Sequence, residues 1–411
     1  MTHTVSSTRP AESSTQPAVL SLKVGDLVEV RSPEEILATL DLSGRLDGLP
    51  FMPQMFKYCG GRFTVLARAH KTCDVIAGEE RRLPDGIHLD TRCDGEAYGG
   101  CQMACLIFWK QAWLKPVAPH GPSDGTSAPV SSNEPRGAVE NGASRCTEED
   151  VIGATHRTEP ESGETTYFCQ ATRVPYFTQP LAWWDVRQYI EDYTAGNVSL
   201  GRLIRGLLYQ TYNHGTQAWR NKVGRPGRWA YDVLKHAIGG IPYPIKAGTL
   251  PPNTPTPVVE LNLQPGELVR IKSHEEILAT LNRGGLNRGL YFDKEMVPFC
   301  GKVFRVKTRV AIFVDENTGK MRTMKTPAVI LEGVWCQSRY SNKKMLCPRA
   351  LYSWWREAWL ERVPDSGEPS SQPLGGEVAV APVAFRHPED LYTRNTRVVT
   401  GGVGEQCCRS S

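Results

Sequence analysis

Four cysteines between positions 73 and 105 carry the strongest chemical signal in this chain. Cys73, Cys93, Cys101 and Cys105 stand in the contexts KTCD and RCDGEAYGGCQMACLIFW. Four thiolates complete a tetrahedral shell around Zn2+, the ion most often held by sulfur alone for structural purposes. Gly99 and Gly100 would let the backbone turn sharply enough to present Cys101. The spacing is not that of a zinc ribbon, which pairs its cysteines two residues apart. If Cys101 and Cys105 open a helix through LIFWKQAW, their separation of four puts both sulfurs on one face. Two other readings stay open: buried thiols packed as small hydrophobes, and an iron–sulfur cluster, which also takes four cysteines.

A basic stripe is the second candidate site. Between Gly196 and Leu250, Arg202, Arg205, Arg220, Lys222, Arg225, Arg228, Lys235 and Lys246 face a single acid, Asp232, with Trp219, Trp229 and Tyr231 interleaved. Guanidinium groups beside aromatic rings suit phosphate contact and base stacking. The same composition suits an acidic protein partner, or a solvated face whose aromatics belong to the core. The whole-chain charge of +4, from 48 basic and 44 acidic side chains, is too small to argue for nucleic acid by itself.

Catalytic signatures are missing. The chain has no Gly-rich phosphate loop, GxSxG elbow, HExxH pair or dinucleotide fingerprint. His70, His88, His214, His236 and His274 are scattered and read as satisfied structural residues. An enzyme whose site has no sequence signature remains an alternative.

The elements that must position these residues come in duplicate. GDLVEVRSPEEILATLDLSGRLDGLPFMPQMFKYC, from Gly25 to Cys59, recurs 241 positions later as GELVRIKSHEEILATLNRGGLNRGLYFDKEMVPFC, with 17 of 35 residues identical and no gap. LVEVR and LVRIK alternate as half-buried strands do. Ser32-Pro33-Glu34-Glu35 and Ser273-His274-Glu275-Glu276 are capping boxes, so a short helix should follow each. Further on, Trp109 and Trp113 match Trp355 and Trp359, and FWKQAWL and WWREAWL read as helical pairs with core-facing indoles. In the second copy Val314 stands where Cys73 does and Leu351 where Cys105 does, while Cys336 and Cys347 remain. Losing half the set to aliphatic residues resembles a decayed metal site.

These patterns divide the chain. Residues 1–18 and 364–411 and the Pro-, Gly- and Ser-rich stretch 118–164 read as disordered. Residues 19–117 form the first repeat, 165–257 a basic segment of three helices, and 258–363 the second repeat with a degenerate metal site. The expected class is α+β, with two divergent small β-barrel-like repeats of the KOW or Tudor kind flanking the helical segment. Hydrophobic residues at 40% and charged ones at 22% suit a globular protein. No run of about 18 apolar residues would span a bilayer, and the N-terminus lacks a secretory pattern. A cytoplasmic location is expected, where twelve cysteines are thiols or metal ligands rather than disulfides.

The segments GLPFMPQM, KTCD and RCDGEAYGGCQMACLIFWKQAWL, with NVSLGRLIRG and GGIPYP, resemble a set of uncharacterised bacterial proteins carrying the same Cys-rich block. That resemblance implies a bacterial protein with no known activity. The expected function is a non-enzymatic, zinc-stabilised binding or scaffolding protein whose partner is a protein or nucleic acid and not a membrane.

Overall fold

The computed structural model describes residues 22–117, 145–214, 247–341 and 343–364, with scattered positions between 224 and 245. It is a mixed α+β chain dominated by antiparallel sheets. The strands of the first unit are Leu27–Val30 (β1), Arg62–Arg68 (β2), Lys71–Asp74 (β3), Glu79–Arg82 (β4), Gly86–Arg92 (β5), Leu106–Lys110 (β6) and Leu114–Pro116 (β7). Those of the second are Leu268–Ile271 (β8), Val303–Val314 (β9), Met321–Trp335 (β10), Tyr352–Trp355 (β11) and Leu360–Arg362 (β12).

Each unit builds one curved five-stranded sheet, in the orders β6-β5-β2-β1-β7 and β11-β10-β9-β8-β12. Registers match across the two: Val28 lies opposite Phe63 and Val269 opposite Phe304, while Val30 lies opposite Leu114 and Ile271 opposite Leu360. Both capping boxes form. Glu35 N donates to Ser32 Oγ at 3.3 Å and Ser32 N to Glu35 Oε2 at 3.0 Å. Glu276 N donates to Ser273 Oγ at 3.3 Å and Ser273 N to Glu276 Oε2 at 2.9 Å. The helices they start, Pro33–Leu37 and His274–Leu278, cover one end of each core with Ile36 and Ile277.

The FWKQAWL segment is not a helix. Leu106–Lys110 is a fully buried strand, and a 3₁₀ turn over Gln111–Trp113 leads into β7. Buried on both faces, this strand carries a continuous apolar run, which periodicity alone does not separate from a helix. Core use of the indoles stands nonetheless. Trp113 packs edge-on to Phe51 at 5.3 Å and donates Nε1–H to Thr39 Oγ1 at 3.0 Å. Trp359 does the same with Phe292 at 5.4 Å and Thr280 Oγ1 at 2.9 Å.

The units differ in one hairpin. In the first, the ladder breaks between β2 and β3 and between β4 and β5, where Pro84 offers no N–H and Asp85 takes a left-handed φ of 58°. In the second, β9 and β10 run through as one long hairpin, with register shifts at Val306/Thr308 and Val310/Ile312 absorbing the bend. Each hairpin reaches the other unit. Val314 and Met321 join the core of the first unit, and Met103 joins the core of the second. Gln102 Oε1 accepts from Ala311 N at 2.6 Å and Ile312 N at 3.1 Å, fastening that exchange through backbone.

The linker expected over 118–164 is shorter than read. Residues 118–144 lie outside the described part, but Glu148–Gly153 is a helix capped by Thr147, and His156–Thr158 pairs with Thr165–Tyr167 as a hairpin. Cys146, Val151, Val174 and Phe177 all enter the first unit's core. A few anchoring apolar groups offset the ordering of a polar segment. The nominal helical segment therefore begins later than 165: Gln170 is buried between β6 and Pro50, accepting from Phe108 N at 2.8 Å and donating to Pro50 O and Phe108 O at 2.9 Å each.

Candidate functional site

Of the four cysteines expected to share one ion, Cys105 touches two groups, one with Cys73 and one with Cys93 and Cys101. Cys73, at the end of β3, packs with Val75, Cys347, Leu351 and the half-buried Cys105. The Cys347 thiol is buried in the same cluster. Cys93 and Cys101 instead line a cavity of about 30 Å³ with Cys105 and Cys169, closed by Met52 and Tyr98. Cys169 has no part in the expected set. Gln54 Nε2 donates to Cys93 Sγ at 3.1 Å, and Val314 N to Cys101 Sγ at 3.3 Å, so both sulfurs already have protein partners. Among the described residues no group of three or more His, Cys, Asp or Glu side chains converges as a ligand set. Burial pushes the thiols of Cys93, Cys101 and Cys105 up, and that of Cys169 to about 11.

Glycine permits the loop that carries Cys101. A Cβ on Gly95, at φ +79°, would lie 1.9 Å from Cys101 O, and Gly99 and Gly100 also take left-handed conformations. Val314 and Leu351 replace sulfur with aliphatic carbon at points where one unit contacts the other: Val314 against Cys101, Leu351 in the Cys73–Cys347 cluster.

A second buried group joins both units to a helix, Val186–Thr194. Lys71 Nζ lies 2.8 Å from Asp192 Oδ2 and 3.3 Å from Glu80 Oε1, and donates to Gln188 Oε1 at 3.1 Å and Met345 O at 2.8 Å. Lys71, Glu80 and Asp192 are wholly buried. Burial raises the Glu80 carboxyl to about 8, partly offset by Lys71, so near neutrality Glu80 holds its proton while the closer Asp192 balances the ammonium. Burial and the Lys71 charge depress His70 to about 3. Neutral His70 lies 3.2 Å from Gln188 O, and neutral His88 lies 2.8 Å from Ile107 O. His70 has a partner at both ring nitrogens, its Nδ1 lying 3.3 Å from Arg68 O, whereas His88 leaves Nε2 buried without a partner among the described residues and packs on Phe108, which lines the cysteine cavity.

The helices themselves are turned inside out. Apolar stripes of surface helices normally face the core. Here the shorter helix, capped by Asp185 and stopped at Gly196 (φ +79°), buries Gln188, Tyr189 and Asp192 and exposes Val186 (65%), Ile190 (59%) and Tyr193 (51%). The longer helix, Leu200–His214, docks on the second unit. Its Gly206 sits where a Cβ would meet Met345 Sδ at 2.6 Å, and Gln210 Nε2 donates to Ser341 O at 3.0 Å. Outward it presents Leu200, Ile204, Leu207 and Leu208, the last 67% exposed. Two helices thus bind the β units with polar and small residues and with the apolar cluster of Tyr189, Val198, Leu203, Met345 and Leu346, and hold a further aliphatic face out.

Of the expected basic stripe, Arg202 and Arg205 lie among the described residues, on the longer helix. Arg202 donates to Gln337 O at 3.0 Å, and Arg205 to Gly201 O of its own helix at 3.1 Å. Arg220, Lys222, Arg225 and Arg228 lie outside the described residues, as does most of the third expected helix. What sequence reasoning missed was the direction of these helices. The signal was present in Gln188 and Asp192, four apart and polar, opposite an apolar stripe of Val186, Ile190 and Tyr193.

No family model matches the chain, and no curated protein or solved structure matches it either. No helix among the described residues is long and apolar enough to cross a membrane.

Proposed function

We propose that this is a binding or scaffolding protein whose docking surface is the outward aliphatic face of the two helices, and that its partner is an acidic amphipathic helix of another protein. The observation that carries the reading is the outward aliphatic face: polar contacts to Lys71, Arg68 and Ser341, with the apolar cluster of Tyr189, Leu203 and Met345, fix the helices, so their exposed Val186, Ile190, Ile204 and Leu208 are left for a partner. Charge selects the acidic partner, since the stretch from Gly196 to Leu250 holds eight basic residues against one acid. The two sheets, with a last strand returning beside the first, support reading each unit as an SH3-like barrel of the KOW or Tudor kind serving as mount for the helices. An aliphatic outer face suits an apolar partner better than phosphate, which places nucleic acid second.

The test is titration of the full chain with a labelled designed helix bearing a leucine face and glutamates elsewhere, followed by fluorescence anisotropy. Saturable binding is expected, weakened at least ~10-fold by Ile204→Glu with Leu208→Glu and in a peptide with lysines for glutamates. Equal binding by both peptides and both proteins overturns the reading. So does a concentration-dependent dimer abolished by the same double variant, which assigns the face to a second copy, or steeply salt-dependent binding of RNA or duplex DNA in its place.

A further inference from the structure

The contact between Cys73 and Cys347 joins residues 274 positions apart and is a meeting of two thiols across the units. Its counterpart elsewhere in the molecule, Val314 against Cys101, contains one sulfur only. Around Cys73 the polar setting is unlike that of the other buried cysteines. Arg349 Nη1 donates to Cys73 O at 2.9 Å, while Arg349 Nη2 grips both oxygens of Glu316 at 2.9 Å. Arg349 and Lys344 set positive charge near the sulfur, and the Cys347 thiol lies in the same cluster. The hydrogen bond with Cys347 and those two cations outweigh burial and draw the Cys73 thiol down to about 6. Cys347 is driven the other way by burial and by the same hydrogen bond. One sulfur is thus prepared as nucleophile and its neighbour held as a protonated reserve, the division of labour that thiol–disulfide exchange needs.

We propose that Cys73 and Cys347 are a redox-reactive pair that closes an intramolecular disulfide by exchange with a small disulfide of the glutathione class, stapling the β3–β4 hairpin of the first unit to the second. The Cys73 thiolate attacks one sulfur of the small disulfide, forming a mixed disulfide and expelling one thiolate, which takes a proton from water. Cys347 then loses its proton to solvent, and its thiolate attacks the Cys73 sulfur and expels the second small thiolate, which is protonated in turn. Two protein thiols and one small disulfide become one protein disulfide and two small thiols, with two electrons passing to the small molecule.

The test incubates reduced full-length protein with oxidised glutathione, blocks free thiols with iodoacetamide and maps unreduced peptides by mass spectrometry. A peptide pair linking Cys73 to Cys347, loss of two titratable thiols and a raised Tm are expected. Cys347→Ala should instead accumulate glutathione on Cys73. Cys73→Val, the residue at the matching place in the second unit, should give neither product and keep its fold by circular dichroism. If wild-type Cys73 and Cys347 stay alkylatable while other thiols oxidise, or if Cys347→Ala carries no adduct at Cys73, the proposal is overturned.

Discussion

Val314 donates its backbone N–H to Cys101 Sγ at 3.3 Å, and this contact mirrors the one between Cys73 and Cys347. Each unit sends a hairpin into the other, and the residue in equivalent position on each hairpin meets the equivalent cysteine loop. Replacement of Cys73 by Val314 is therefore a change at an interface between units. It need not record the loss of a metal.

The Arg349–Glu316 pair lies wholly inside that interface, and Arg349 also holds Cys73 O. Arg349→Met strands a buried carboxylate and should cost about 3–5 kcal/mol in urea unfolding. Cys73→Val keeps volume and apolarity and should stay within about 1.5 kcal/mol of wild type.

Lys71 holds the shorter helix. Lys71→Met should cost about 3–5 kcal/mol and strip hydrogen-exchange protection from residues 186–198 first, because Asp192 loses its counter-ion. Protection unchanged there would mean that Asn197 and Arg82 alone fasten the helix.

The same cluster sets a pH profile with two limbs. Glu80 has a folded pKa near 8, above its ordinary 4.5, so its contribution to stability is full below about 4.5 and is lost as pH rises through 8. His70, lowered from 6.5 to about 3, contributes fully above 6.5 and loses that contribution as pH falls toward 3. Denaturant midpoints measured from pH 5 to pH 9 should stay level to about pH 6.5, where the two limbs offset, fall from there to pH 8 and level off above it, and Glu80→Gln should remove most of that fall.

Thr39 and Thr280 satisfy the two equivalent indoles. Thr39→Val and Thr280→Val should each cost about 1–3 kcal/mol by leaving a buried N–H unpaired. Equal losses would show that the units bear the same constraint, and Thr→Ser at either place should recover most of it.

Chelation addresses the zinc expectation directly. With Cys73 turned to Cys347 and no ligand set assembled among the described residues, EDTA should release no stoichiometric zinc and leave Tm unchanged. Release of one equivalent, abolished by Cys169→Ser, would mean that Cys93, Cys101, Cys105 and Cys169 draw together on an ion across their shared cavity.

Much of the local structure was legible in the sequence. The duplicated segment, both capping boxes, the strand alternation of LVEVR and LVRIK and the buried indoles depend on near neighbours and on 2.0 or 3.6 periodicity, and these are written in the chain itself. The same periodicity misassigned FWKQAWL as helix, since a strand buried on both faces has no alternation to show. It could not say where Ile190 and Leu208 would lie, because spacing identifies a helical face without saying what that face meets.

What only the tertiary structure decided was partnership. Spacing grouped Cys73 with Cys93, Cys101 and Cys105, whereas the exchanged hairpins put Cys73 beside Cys347 and brought Cys169 to the other three. Residues 274 apart meet because Val314 and Met321 of one hairpin bury in the first unit's core while Met103, on the loop before β6, buries in the second's, a long-range gain in burial that no local pattern records.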